Sequence, residues 1–258
     1  MKRLLFFAIN ALLLVSLSSC GSGKEDDSNA APKPGGSTQP VTNPVVMPTR
    51  VTGKVYLAGD SLVCIWPETS RPKSGWGEHL ADSLKTSPSG AVANVINKAI
   101  SGRSTKSFIT SGDWDTLIAL VAENDLVLIQ FAANDGSTAD KGCTTEQYAV
   151  NLKKFISETR AKGAWPVLVT PPNSHKFASS GSPSKVWTGY TNTMRNVATE
   201  TLTALVDCQN MSYEWLRKNG QTRTAEYYMD DDTHLTMKGA ALFAGMIASS
   251  MKEQGLWP

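Results

Sequence analysis

Short apolar runs alternate with longer amphipathic segments along residues 51–258. Brief apolar runs bounded by turn residues are typical of strands that are buried on both faces of a parallel sheet. The pattern predicts five such strands, at 55–58, 92–96, 125–133, 167–170 and 204–207.

Helical periodicity occupies most of the segments between these strands. Trp76, Leu80 and Leu84 recur at one-turn spacing, and Gly163 is a typical residue just past a helix end. Strands that alternate with helices predict βαβ units, and therefore an α/β fold with a mostly parallel five-stranded sheet. The predicted helices are 76–85, 114–122, 144–162, 185–202, 213–218 and 237–252.

Polar turns follow three of the five predicted strands. Asp60 and Ser61 come after the first, residues 97–104 after the second, and Asn134 after the third. Because the carboxyl ends of parallel strands lie on one edge of a sheet, these turns can meet there. Gly59 lets the backbone bend sharply just before Ser61.

The first twenty residues predict a lipoprotein signal peptide. Lys2 and Arg3 precede an apolar stretch at 4–17, which is too short to span a membrane. Cys20 follows small residues and resembles the lipidated cysteine of a bacterial lipobox. We therefore expect an exported protein held by lipid at a bacterial outer membrane, on the cell surface or the periplasmic face. An ordinary secretory signal with an incidental cysteine is the alternative.

Composition adds three expectations, which concern residues 21–50, the partners of the protein and its cysteines. Residues 21–50 are rich in Gly, Ser, Pro, Thr and Asn, so they predict a disordered linker before a domain at 51–258. The net charge is only +2 and the basic residues are scattered, which predicts no nucleic-acid partner. An exported protein permits a disulfide, but the pairing among Cys64, Cys143 and Cys208 stays open.

Ser61 is a candidate nucleophile, and the chain offers only three histidines as its base. His234 has Asp231 three residues before it, so the carboxylate can lie beside the imidazole and orient it. The alternatives for the acidic run around Asp231 are a cap for the last helix or a cation site.

Three groups are candidates for an oxyanion hole, which needs hydrogen-bond donors aimed at a developing alkoxide. They are the backbone N–H groups of Ser61 and Gly102 and the side-chain amide of Asn134. Taken singly, Gly102 is better explained as a turn glycine and Asn134 as a cap at a strand end.

Gly59-Asp60-Ser61, Gly102, Asn134 and Asp231-x-x-His234 together resemble the four blocks of the SGNH, or GDSL-type, hydrolase superfamily. Within it the chain resembles most the rhamnogalacturonan acetylesterases, over about residues 53–252. The resemblance implies a flavodoxin-like three-layer α/β/α sandwich with strand order 2-1-3-4-5. It also implies ester hydrolysis through an acyl-serine without metal or cofactor. Ser61 is then the nucleophile, His234 the general base and acid, and Asp231 the residue that orients His234.

One block departs from the family pattern. The third block usually reads Gly-His-Asn-Asp in this superfamily, whereas this chain has Ala132 and Ala133 before Asn134. The asparagine is retained, so we expect activity, but packing at this strand end or the shape of the acyl pocket is expected to differ.

Several polar and aromatic residues are candidates for substrate contact. The guanidinium of an arginine matches the geometry of a uronate carboxylate, with a structural ion pair or a role in bracing the turn as the alternative. Aromatic rings stack on sugars, with core packing as the alternative. These candidates are Arg103, Trp66, His175 and Trp187, with Tyr190 beside them.

The expected function is removal of acetyl groups from a plant cell-wall polysaccharide or oligosaccharide, with pectin as the first choice. The alternatives are xylan, another acetylated glycan, a lipid ester, or a lipoprotein that binds glycan without catalysis.

Overall fold

The computed structural model describes residues 54–85 and 94–258. The predicted signal peptide, the lipidated Cys20 and the linker at 21–50 lie outside these described residues. None of the helices in the described ranges is both long and apolar enough to cross a membrane.

Five parallel strands form one sheet in the order β2-β1-β3-β4-β5. This order and the flanking helices confirm the α/β sandwich that the family resemblance implied. Side chains alternate across the strands, so Val55 and Leu57 enter one core while Tyr56 and Ala58 enter the other. The strands are β1 Val55–Gly59, β2 Val95–Asn97, β3 Leu126–Gln130, β4 Trp165–Val169 and β5 Ala204–Val206.

Helices cover both faces of the sheet and bury the two cores. Apolar residues of α1, α6 and α8 fill one core, and those of α2, α3, α4 and α5 fill the other. The helices are α1 Leu80–Leu84, α2 Thr105–Thr110, α3 Asp113–Ile118, α4 Thr145–Ala161, α5 Thr188–Glu200, α6 Cys208–Asn219, α7 Gln221–Thr224 and α8 Met237–Glu253. Short 3₁₀ turns lie at Glu68–Ser70, Trp76–Glu78 and Ala225–Tyr227.

Local capping explains where two helices depart from prediction. The sequence pattern left α2 unpredicted, yet Ser104 caps it by accepting a hydrogen bond from the Ser107 N–H at 3.0 Å. Asp207 accepts from the Asn210 N–H at 3.3 Å, so α6 begins at Cys208, five residues before the predicted start. Because α2 has only six residues, its cap indicates the helix more clearly than its periodicity does.

Other boundaries also moved. The predicted helix 76–85 is a 3₁₀ turn followed by α1, and the predicted loop 220–232 contains α7 and another 3₁₀ turn. The predicted strand 125–133 ends at Gln130, because Ala132 turns out of the extended conformation with φ of 134°. The apolar run therefore continues past the end of the strand.

The three cysteines of the described residues are free thiols. Burial raises the pKa of Cys64 to about 12 and that of Cys143 to about 11. Burial also raises the pKa of Cys208. These thiols are therefore poor nucleophiles at neutral pH, since the thiolate is the reactive form.

Candidate active site

The end of β1 presents Ser61 in a tight turn. A Cβ on Gly59 would lie 2.5 Å from a methyl carbon of Val63, so only glycine permits this close packing. The N–H groups of Val63 and Cys64 both donate to the carbonyl oxygen of Asp60, at 3.1 and 3.0 Å. The turn therefore holds the Ser61 side chain, 8% exposed, at the carboxyl edge of the sheet.

Asp60 lies fully buried beneath this turn. Its Oδ1 accepts from the Leu62 N–H at 2.9 Å and from Gln130 Nε2 at 3.1 Å, and Trp76 Nε1 donates to the same Gln130 side chain. Its Oδ2 has no hydrogen-bond partner among the described residues. Burial raises the pKa of Asp60 to about 7, because its effect is larger than the opposite effect of these hydrogen bonds.

His234 reaches Ser61 from the loop before α8, 173 positions further along the chain. Its Nε2 lies 3.0 Å from Ser61 Oγ. The loop is closed by its own backbone, because the Met229 N–H donates to the His234 carbonyl and the Asp232 N–H donates to the Met229 carbonyl. The predicted base and nucleophile thus lie within hydrogen-bonding distance.

Asp231 lies on the other side of the imidazole. Its Oδ2 is 2.6 Å from His234 Nδ1, and its Oδ1 accepts from the backbone N–H groups of Thr233 and His234. Partial burial alone would raise the pKa of Asp231, but these hydrogen bonds lower it to about 2. Asp231 is therefore a carboxylate at neutral pH. Thr236, not the acidic run, caps α8.

Trp66 borders this constellation. Its indole N–H donates to the Ser61 carbonyl oxygen at 2.9 Å, and its ring meets the His234 ring edge to face, with centroids 5.6 Å apart. Lys73 Nζ lies 4.7 Å from the centre of the indole. The sequence pattern suggested Trp66 as a substrate contact, and the structure places it against the serine and the histidine.

The candidate oxyanion donors come from two further strand ends. Gly102 has φ of 80°, which favours glycine, in the loop after β2. Among the described residues, the backbone N–H groups of Ser61 and Gly102 have no hydrogen-bond partner. Asn134, after β3, donates one side-chain N–H to the Arg103 carbonyl at 3.0 Å and keeps a second N–H for a ligand.

Lys141 also contacts this group, although the sequence pattern did not single it out. Its Nζ lies 3.0 Å from Asn134 Oδ1 and 3.4 Å from the Gly102 carbonyl oxygen. It sits in an irregular loop between β3 and α4, where no periodicity or motif predicts the direction of a side chain. Only the path of that loop brings the lysine to the site.

Ala132 and Asp135 flank Asn134 in the chain and are both fully buried. The φ of 134° at Ala132 lies in a region that glycine favours, and glycine is the residue that the family resemblance implied at this position. Asp135 Oδ1 accepts from the N–H of Thr105 at 2.9 Å and from its hydroxyl at 2.5 Å. Burial raises the pKa of Asp135. The end of β3 is therefore strained at Ala132, while the hydrogen bonds of Asp135 to Thr105 hold it in place.

His175 is only 6% exposed, contrary to the prediction of a substrate contact. Its Nε2 lies 2.9 Å from the Thr224 hydroxyl, and its backbone N–H donates to the Asp232 carbonyl at 2.7 Å. His175 therefore lies beneath the loop that carries Asp231 and His234, and its backbone hydrogen bond supports that loop.

The remaining substrate candidates are engaged inside the protein. Arg103 Nε donates to Asp113 at 2.6 Å, which is the structural ion pair considered as its alternative. Trp187 packs against both cores at the start of α5, where its φ is 51°. The Tyr190 hydroxyl donates to the Cys143 carbonyl at 2.7 Å. For Trp187 and Tyr190, packing in the fold is therefore the observed role.

Comparison with known sequences gives a match between residues 57–242 and the GDSL-like lipase/acylhydrolase family. A Bacillus subtilis protein named "Probable rhamnogalacturonan acetylesterase YesY" is 31% identical over 210 residues, which are 78% of this chain and 94% of that protein. "Rhamnogalacturonan acetylesterase RhgT" of the same organism is 29% identical over 219 residues, covering 79% of this chain and 91% of that protein.

Comparison with solved structures finds the same fold in a crystal structure of another Bacillus subtilis protein, YxiM. The two superpose with a TM-score of 0.72 at 28% identity, over 79% of this chain. This chain spans 57% of that protein's length.

Proposed function

The chain belongs to the GDSL-like lipase/acylhydrolase family and is an esterase, and from this premise we propose that it removes acetyl groups from acetylated pectin, with rhamnogalacturonan as the preferred polymer. The contact from Asp231 through His234 to Ser61, at 2.6 and 3.0 Å, is the single observation that carries the proposed chemistry. The names of the two Bacillus relatives support the proposed substrate.

The first step acylates Ser61. His234 Nε2 takes the hydroxyl proton while Ser61 Oγ attacks the acetyl carbonyl carbon. Asp231 accepts from Nδ1–H, fixes the tautomer and stabilises the imidazolium that forms. The bond between Ser61 Oγ and the acetyl carbon forms first and gives a tetrahedral intermediate. When this intermediate collapses, the bond between the acetyl carbon and the sugar oxygen breaks, and His234 gives its proton to the departing sugar oxygen.

The second step releases acetate. A water molecule replaces the sugar, His234 takes its proton, and the resulting hydroxide attacks the acetyl-serine. Collapse of the second tetrahedral intermediate returns the proton to Ser61. In both steps, the N–H groups of Ser61, Gly102 and Asn134 stabilise the oxyanion.

Trp66 is the proposed wall of the acyl pocket. It contacts both Ser61 and His234. We propose that this bulky ring favours the small acetyl group over the long acyl chains of the lipid esters that the sequence left open. Family membership likewise favours catalysis over a role that only binds glycan.

The decisive experiment measures acetate release from acetylated rhamnogalacturonan, homogalacturonan and xylan by the wild-type chain and by Ser61→Ala. The proposal expects the highest kcat/KM on rhamnogalacturonan and none in the variant. Faster release from xylan would overturn the proposed substrate. An aryl acetate and a fluorophosphonate probe test the chemistry itself, since both require the Ser61 hydroxyl.

We also propose that Cys20 carries a lipid that tethers the exported enzyme to a bacterial outer membrane. Its position after an apolar stretch and small residues supports this. Labelled fatty acid should be incorporated in cells that make the wild-type chain and not in cells that make Cys20→Ala. Equal labelling of the two chains would disprove the anchor.

A further inference from the structure

Lys141 bridges two residues of the candidate oxyanion hole. Its ammonium lies 3.0 Å from Asn134 Oδ1 and 3.4 Å from the Gly102 carbonyl oxygen. We propose that Lys141 is a positioning residue that fixes the donor geometry of this oxyanion hole and adds positive charge beside it. The proposal rests on the esterase function proposed above and extends it to a residue outside the four blocks.

Lys141 determines which way the Asn134 amide faces. The carboxamide oxygen accepts from the ammonium, while its NH₂ donates to the Arg103 carbonyl at 3.0 Å. A flipped amide would set NH₂ against an ammonium and oxygen against a carbonyl, so both contacts would become repulsive. The observed orientation leaves the second N–H of Asn134 as a donor for the oxyanion.

The loop that carries Lys141 is held from two directions. Ser104 donates its hydroxyl to the Lys141 carbonyl oxygen, and Lys106 Nζ lies 2.6 Å from the Asp140 carbonyl oxygen. A Cβ on Gly142 would lie 1.8 Å from the Ser137 carbonyl oxygen, so this compact path requires glycine. These contacts fix the path of the loop, and the loop therefore holds Lys141 next to Asn134 and Gly102.

The charge of Lys141 is directed at the site. Among the residues that the structure describes, no carboxylate forms an ion pair with Lys141. Its two hydrogen-bond acceptors are neutral groups of Asn134 and Gly102. A preorganised cation beside a developing alkoxide stabilises the transition state more than the neutral ester, so its effect belongs in kcat.

The test measures kcat and KM of the full-length chain on an aryl acetate for three variants. Lys141→Met keeps most of the length of the side chain and removes the charge, and we expect kcat to fall by ~10–100-fold with KM nearly unchanged. Lys141→Arg keeps the charge and should recover part of this loss. Lys106→Met is the matched control, because it loosens the same loop without touching Asn134 or Gly102, and it should stay within about twofold of wild type.

A double-mutant cycle distinguishes positioning from a general effect on the loop. In an Asn134→Ala background, Lys141→Met should lower kcat much less than in the wild type, because its partner is absent. Equal losses in both backgrounds would overturn the proposal. So would a kcat for Lys141→Met within twofold of wild type, or an equal loss in Lys106→Met.

Nuclear magnetic resonance gives a readout that needs no turnover. The side-chain amide signals of Asn134, identified by their loss in Asn134→Ala, should shift in Lys141→Met and not in Lys106→Met. Unchanged signals in Lys141→Met would overturn the role of Lys141 even in an inactive protein. A wild-type chain that hydrolyses no ester would overturn the proposed function alone, because the amide signals still report on Lys141.

Discussion

The proposed acid–base side and the proposed oxyanion side of the site are built in different ways. On the acid–base side, formed by Ser61, Asp231 and His234, two residues lie three positions apart in one self-closed loop. A single long-range contact then joins this loop to Ser61. On the oxyanion side, Gly102 lies in the loop after β2, while Asn134 and Lys141 lie in the loop after β3. Contacts of Asn134 with Arg103 and of Lys141 with Gly102 join these two distant loops.

A short motif can specify one side of such a site almost completely and the other side only in part. Asp231 and His234 orient each other through local hydrogen bonds, so the spacing alone nearly defines their geometry. Asn134 depends on the Arg103 carbonyl and the Lys141 ammonium, neither of which belongs to its own block. A substitution distant from Asn134 in sequence can therefore misalign the oxyanion side.

Loss of the base should give the largest effect, on the acid–base side. We expect His234→Ala to lower kcat on an aryl acetate by about 10⁴–10⁶-fold with little change in KM, because Ser61 loses its proton acceptor. His79→Ala is the matched control, since the His79 ring also contacts a serine hydroxyl, that of Ser74, at 3.0 Å. Similar losses in both variants would contradict the assignment of the base.

The buried carboxyl beneath Ser61 should dominate the pH dependence of stability. The pKa of Asp60 is raised to about 7 from its ordinary value of 3.8, so the folded state holds the proton more tightly than the unfolded state. The resulting stability is fully present below about pH 4 and is lost as the pH rises towards about 7.

Asp60→Asn, which stays neutral, tests this effect by urea unfolding. From pH 4 to pH 7, the free energy of unfolding of the variant should gain up to about 4 kcal/mol relative to wild type. A difference between the two proteins that stays constant over this range would show that Asp60 does not titrate there.

On the oxyanion side, Asn134→Ala should lower kcat by about 10²–10³-fold, a smaller loss than for His234→Ala. Other donors remain in the hole, whereas the base has no substitute. Asn134→Asp sharpens the test, because it keeps the shape and the contact with Lys141 but removes the donor. A wild-type kcat in Asn134→Asp would show that Asn134 is not a donor of the oxyanion hole.

Ala132 offers the smallest and most local test of the oxyanion side. Its φ of 134° costs about 1–3 kcal/mol in a residue with a side chain, and a glycine pays about 0.5–1 kcal/mol in chain entropy. Ala132→Gly should therefore raise the free energy of unfolding by about 1 kcal/mol.

Ala133→Gly is the matched control for Ala132, because Ala133 has no positive φ. It should lower the free energy of unfolding by about 0.5–1 kcal/mol, since glycine brings its entropic cost there without relief of strain. Destabilisation of both variants by the same amount in urea unfolding would exclude strain at Ala132.

Sequence alone determined the α/β class, the five strands and the residues of the four blocks. Buried parallel strands require continuous apolar runs, and a loop as short as Asp231-x-x-His234 has few ways to arrange its side chains. The sequence pattern was wrong mainly for short elements such as α2, because a capping residue determines where such a helix forms more than its apolar periodicity does.

The packing of the folded chain, by contrast, determines which distant groups meet at the sheet edge. In the folded chain, the ring nitrogen of His175 is buried, Arg103 forms an ion pair with Asp113, and Lys141 forms a hydrogen bond with Asn134. Irregular loops have no repeating geometry, so a sequence pattern cannot give the direction of their side chains. Their path depends on the packing of the elements that they connect, which is a property of the whole fold.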